Sequence, residues 1–105
     1  MSEHNFQNLV RIELSKLGYV VFRANVGKFK LEDGRWIDNG LPTGFSDLFA
    51  IKDGRVMFLE LKFGKGKASK EQLNFISQMK KNGCVAGVMY SMADIHKLIS
   101  GGVQL

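Results

Sequence analysis

The chain predicts a mixed α/β sandwich, a central β-sheet with helices packed against it. Three observations lead there. Residues 46–62 hold two apolar runs of strand composition joined by Asp53-Gly54, the dipeptide favoured at the two central positions of a type I′ hairpin turn. Apolar residues at 3.6-residue spacing mark helices before and after that hairpin. Further strand-like runs flank it on both sides, so helices and strands interleave. The predicted order is helix, strand, hairpin insert, strand, strand, helix, strand, helix.

Bulk properties narrow the class. The 105 residues are read as one domain over 1–105. A hydrophobic share of 45% with 24% charged residues belongs to a globular chain rather than a disordered or fibrous one. No apolar run approaches a membrane span, and Met1-Ser2-Glu3-His4-Asn5 is too polar for a signal peptide, so the expected location is the cytoplasm. The lone Cys84 excludes an internal disulfide, and Val85 and Ala86 beside it suggest a buried structural thiol. His4 and His96 have no catalytic motif around them, and one Cys with two His falls short of a structural zinc site. A net charge of +5 favours polyanionic partners, with an incidentally basic surface as an equal alternative on charge alone.

The elements follow in order. Phe6, Val10, Leu14 and Leu17 define a helix over residues 3–17, with Gly18 as its C′ stop. Glu3 and Gln7 fall within that apolar stripe rather than on the wet face; Glu3 either complements the helix N-terminus or serves a site. Glu13, at the stripe's edge, reads as a solvated charge. Residues 19–24 form a strand, and Asn25-Val26-Gly27 a turn or bulge. Lys28-Phe29-Lys30-Leu31 and Arg35-Trp36-Ile37 flank the turn Glu32-Asp33-Gly34-Arg35, giving a ribbon with one basic and one apolar face. Trp36 is expected to pack against the domain rather than to stack on a base. The loop Asn39-Gly40-Leu41-Pro42-Thr43-Gly44 turns sharply before the hairpin. After Lys62 comes a basic, glycine-rich stretch, Gly64-Lys65-Gly66-Lys67. Ser69 with Gln72 then matches a capping box for a helix through Leu73, Phe75, Ile76 and Met79 to Lys81, ending at Asn82-Gly83. A buried strand over 85–90 and a short helix over 92–100 complete the chain.

The chemistry sits on the central hairpin. With Asp53 and Gly54 as the turn, Lys52 faces Arg55 and Asp47 faces Glu60, with opposed Cβ atoms roughly 4.5–5.5 Å apart on one face. Lys62, two residues beyond Glu60, projects to that face as well. Two carboxylates that close cannot both ionise cheaply, and a divalent cation resolves the conflict. Such a site activates a water and neutralises charge on a phosphodiester, while a lysine beside it orients the attack. A bare surface Glu-x-Lys pair is the plain alternative. It is disfavoured because Glu60 interrupts Met57-Phe58-Leu59 and Leu61 in a buried strand, where unpaired charge is expensive.

These residues resemble a known family. Asp47 followed by Glu60-Leu61-Lys62 at a strand end is similar to the core of the PD-(D/E)XK nucleases. More narrowly, Arg23-Ala24-Asn25-Val26-Gly27, Gly44-Phe45-Ser46-Asp47-Leu48, Glu60-Leu61-Lys62 and Ser69-Lys70-Glu71-Gln72 resemble the stand-alone VRR-NUC domain, over residues 3–83. The resemblance implies a restriction-endonuclease-like sheet with an αβββαβ core and an inserted β-hairpin. It implies a Mg2+- or Mn2+-dependent endonuclease with Asp47, Glu60 and the Leu61 carbonyl as metal ligands and Lys62 as catalytic lysine. Gln72 then points from its helix toward the site, in competition with its capping role, and Glu3 takes the place of the family's first-helix acid, with Gln7 after it, as a further candidate ligand. Ser46 stands where the family name has proline, a change of turn geometry rather than chemistry. Lys65, Lys67 and Lys70, with Lys28 and Lys30 of the ribbon, are the candidate nucleic-acid contacts.

The resemblance extends to substrate and assembly. Stand-alone members of phages and bacteria look like homodimeric, structure-selective enzymes that cut four-way (Holliday) DNA junctions, which places the chain in a bacterial or phage-infected cell. A two-fold dimer suits symmetric cuts on two strands. Its candidate surfaces are the Phe29/Leu31/Trp36/Ile37 ribbon and the last helix. The rival from another class is a non-catalytic DNA-binding or nuclease-regulating module of the same fold, distinguished by salt-sensitive binding without cutting. A sequence-specific restriction-type enzyme ranks lower, because the chain has little room for a base-reading insert.

Overall fold

The computed structural model describes residues 2–24, 28–38 and 40–101, and of Lys28 and Phe29 the backbone alone. The proposed turn at Asn25-Val26-Gly27 and the loop residue Asn39 lie outside the described residues. In chain order the elements are α1 (Glu3–Lys16), β1 (Val20–Arg23), β2 (Lys28–Lys30), β3 (Trp36–Asp38), β4 (Leu48–Lys52), β5 (Arg55–Leu61), α2 (Lys70–Lys81), β6 (Val85–Met89) and α3 (Met92–Gly101). The main sheet runs β1-β4-β5-β6, and β2 with β3 forms a separate two-stranded ribbon. This is the mixed sheet with an inserted hairpin that the chain predicts.

Asp53 and Gly54 set the register at its centre. Both have positive φ, 53° and 76°, as a type I′ turn requires. From Lys52↔Arg55 the antiparallel β4–β5 ladder runs without a bulge to Leu48↔Leu59. β1 joins the free side of β4 antiparallel, while β6 lies parallel to β5, reached through α2. The crossover is the reason β6 can be parallel: a tight turn reverses a strand, whereas a helix returns it.

Strand alternation then sorts the two faces. Leu48, Ala50, Met57, Leu59 and Leu61 are buried together with Phe6, Val10 and Leu14 of α1 and Ile95 of α3. Burying each of the larger side chains contributes roughly 1.5–3 kcal/mol. The other face is aromatic. Phe49 stacks on Phe22 at 4.8 Å between ring centroids, and Phe45, Phe58 and Phe75 of α2 meet at 4.7–5.9 Å. Helices α1 and α3 therefore cover one face and α2 the other.

Helix ends follow from local backbone rules. In α1, Tyr19 N–H reaches Leu14 O and Gly18 N–H reaches Ser15 O; in α2, Cys84 N–H reaches Met79 O and Gly83 N–H reaches Lys80 O. Both are Schellman closures with the positive-φ glycine at C′ (Gly18 94°, Gly83 85°). The capping box of α2 is present in both directions. A second cap, absent from the sequence reading, opens α3: Ser91 Oγ accepts from Asp94 N, and Asp94 Oδ2 accepts from Tyr90 N.

Four expectations change. Leu17 and Glu3 are exposed, so the buried stripe of α1 is Phe6, Val10 and Leu14, with Gln7 half-buried beside it. Glu13 is not a free surface charge: its Oε2 lies 2.9 Å from Nε2 of His96, linking α1 to α3. Cys84 is half-buried rather than enclosed. Trp36 is turned mainly to solvent rather than packed against the domain. It is 64% exposed, and the register Lys30↔Trp36 puts it on the basic face of the ribbon, with Lys30 Nζ 6.0 Å from its ring centroid. Adjacent residues of a strand face opposite ways, so Trp36 and Ile37 cannot share the apolar face assigned to both.

Candidate active site

Asp47 is delivered by a tightly fitted loop. Gly44 has φ 93°, and a Cβ there would collide with the Glu71 carbonyl oxygen, so the loop backbone lies directly against the first turn of α2. Only glycine allows both the conformation and the approach. Ser46, fully buried, donates its Oγ–H to Leu48 O at 2.9 Å. A hydrogen bond thus braces the bend where the family name has proline.

One residue further, the chain leaves the ladder. Leu61 N–H lies on the β4 side of β5 and takes Asp47 Oδ2 at 2.8 Å in place of a strand carbonyl. On the other side Asp47 O accepts from Ala24 N at 2.9 Å. Asp47 is therefore held by both neighbouring strands, with its carboxylate beside Glu60.

Glu60 is the anomaly of the molecule. It is 1% exposed, and as a carboxylate neither of its oxygens meets a hydrogen-bond donor. A buried charge without donors is costly, and the group responds by holding its proton. Burial first, then a proton shared with Asp47 and the Asp47 charge, push its pKa to about 9. Lys62 pulls the other way, and the charge of Glu3 adds a smaller upward push. Half-buried Lys62 is anchored through its backbone, with its N–H on Met89 O at 2.9 Å.

The donor set fits a hard divalent cation. Mg2+ and Mn2+ take carboxylate and carbonyl oxygens, and Mg2+ keeps several waters, so two carboxylates and a backbone oxygen suffice. Orphaned Glu60 oxygens next to Asp47 are what such an ion would satisfy. Among the described residues no group of three or more His, Cys, Asp or Glu side chains is arranged to hold a metal ion, and Glu3 bears on the pair through its charge.

The remaining sequence candidates are placed as follows. Gln72 is half-buried, and its Oε1 is committed to Ser69 N at 2.8 Å, which makes it a cap. Gln7 Oε1 is buried without a partner. Lys30, Lys65, Lys67 and Lys70 are exposed. The close approach of Gly44 and the Ser46 brace carry no signal in the sequence beyond the Pro-Thr-Gly loop, whereas Trp36, expected against the domain, is exposed instead.

A mixed sheet of this order, with an acidic pair at one end, is the restriction-endonuclease-like architecture. The chain is similar to a solved VRR_NUC domain at 24% identity and TM-score 0.66, covering 93% of this chain and 94% of that one. It is also similar to Hjc of Archaeoglobus fulgidus, a Holliday junction resolvase, at 17% identity and TM-score 0.57, covering 84% and 67%. No curated protein matches it. The model of the VRR-NUC domain matches residues 1–93, and the chain belongs to that family, a nuclease-type domain.

Proposed function

We propose that the protein is a divalent-metal-dependent DNA endonuclease that hydrolyses phosphodiesters at branched DNA. The observation that carries this reading is Glu60, a buried carboxyl with no donor for either oxygen, set beside Asp47 and Lys62. Asp47, Glu60 and the Leu61 carbonyl would hold Mg2+ or Mn2+. When bound, such an ion lowers the pKa of water and offsets the negative charge that develops on the phosphate. Lys62 donates to the non-bridging oxygens or orients the attacking water from the same face. The Asp47–Leu61 bond keeps the carboxylate from turning away while the substrate is absent. Lys65, Lys67 and Lys70, which follow Lys62 in the chain, together with Lys28 and Lys30 of the ribbon, are the proposed contacts to the phosphate backbone.

The four-way junction is the preferred branched substrate in this reading, supported by the likeness to Hjc, and a homodimer would present two equal sites to its two strands. The test is a cleavage panel of four-way junction, fork, flap, duplex and single strand, each with Mg2+, Mn2+ and EDTA. Metal-dependent cutting of the junction above the duplex is expected. Binding without cutting in any metal would instead make the chain a non-catalytic DNA-binding or regulatory module.

A further inference from the structure

The β2–β3 ribbon carries a feature that the fold does not use. Trp36 is the sole tryptophan, and leaving it 64% exposed forfeits the burial its large ring normally gains. Its neighbours are polar: Lys30 lies over the ring, and Arg35 is tied to Asp33 at the turn, where Nε meets Oδ2 at 2.7 Å. The ribbon's place is also informative. It is inserted between Ala24, whose N–H bonds Asp47 O, and the loop that returns to Asp47, so both of its stems leave the end of the sheet that holds the carboxylate pair.

A second copy of the chain is a poor occupant for this surface. The register groups Trp36 with Lys30 and pairs Ile37 with Phe29 on the opposite side, so the Trp36 face offers no continuous apolar patch, and stable pairing needs roughly 800 Å² per partner. One exposed indole with an ammonium beside it matches a nucleotide instead. The ring stacks on a base and the lysine meets the adjoining phosphate, the combination used on unpaired strands. In continuous duplex the bases are stacked on one another and offer no free face.

We infer that the ribbon is a base-capturing arm, in which Trp36 stacks on an unpaired DNA base at a branch while Lys30 holds the neighbouring phosphate. This rests on the nuclease reading above and adds to it the means by which a branch is told from plain duplex.

Because Trp36 is the sole tryptophan, its fluorescence reports the contact directly. Wild-type protein is titrated with a fork bearing unpaired bases and with blunt duplex, Ca2+ replacing Mg2+, while label anisotropy follows binding in parallel. The fork is expected to quench Trp36 over the same concentrations that raise anisotropy, and duplex to quench far less. Trp36→Ala should weaken fork binding roughly 5- to 150-fold, the range of one lost base stack. Trp36→Phe should restore most of the loss and Trp36→Leu little, which separates stacking from mere apolar bulk. Circular dichroism confirms that each variant folds. Fork binding and cutting with a silent Trp36, or unchanged fork affinity in Trp36→Ala, overturns the arm and leaves the nuclease standing. A fluorescence change driven by protein concentration alone makes the ribbon a contact between copies and likewise overturns it. Failure to bind or cut any DNA removes both readings together.

Discussion

The carboxylate of Asp47 accepts the backbone N–H of Leu61 at 2.8 Å, so the side chain that prepares a metal site also closes the last rung between β4 and β5. Structure and chemistry depend on one group here. They can be separated by substitution.

Asp47→Asn keeps a carbonyl oxygen for Leu61 N–H but loses the charge. It should fold within about 1 kcal/mol of wild type while metal-dependent cleavage disappears. Asp47→Ala leaves that N–H without its partner and should cost a further ~1–3 kcal/mol. Urea unfolding of the two variants, beside a cleavage assay, checks both halves. Equal stability would mean that the hydrogen bond is energetically idle.

Glu60 makes stability fall as pH rises. Its pKa is about 9 in the folded chain against 4.5 for the model carboxyl, so between those values the folded state binds a proton that the unfolded state has released. Stability is therefore higher near pH 5 than near pH 9, with a contribution on the order of 2–4 kcal/mol. Glu60→Gln should flatten this part of the profile and stabilise the metal-free protein at pH 8. Thermal melts from pH 5 to 9 decide it. Parallel profiles for variant and wild type would exclude Glu60 as the source.

Metal binding should run against that proton. At pH 7 to 8 an incoming cation displaces it, so Mn2+ should release close to one proton and raise the melting temperature more at pH 8 than at pH 6. Calorimetry in buffers of different ionisation enthalpy measures the release. No proton exchange on binding would place the ion elsewhere.

Lys62→Ala should lower cleavage by roughly 100-fold or more while leaving the fold and DNA affinity near wild type. Because Lys62 pulls the Glu60 pKa down, the variant should also need a higher pH for the same metal occupancy. Wild-type turnover by Lys62→Ala under saturating Mg2+ would sink the mechanism.

Gly44→Ala should be the most destabilising glycine-to-alanine change among the described residues. Its Cβ would collide with the Glu71 carbonyl, and φ is 93°. A loss on the order of 2–4 kcal/mol is expected from strain plus overpacking. By contrast Gln72→Glu keeps the reciprocal cap with Ser69 and should change stability little. If Gln72→Glu also cuts normally, the cap accounts for the residue.

Some of this is local and some is not. The Asp-Gly turn, the C′ glycines and the Ser69–Gln72 cap are decided by backbone sterics and hydrogen bonds within a few residues, so the sequence determined the hairpin register, the helix ends and the meeting of Asp47 with Glu60. The continuous apolar runs of β4 and β5 did not say which of their two faces meets α1 and α3. Burial across elements is another matter, because it depends on which surfaces meet. Only the tertiary structure decided that Glu60 lacks any donor, that Glu13 reaches His96 on a helix more than eighty residues away, and that Gly44 lies against α2. It decided too that Trp36 lies 64% exposed on the ribbon side it shares with Lys30, so the sole tryptophan of the chain is left free to stack elsewhere.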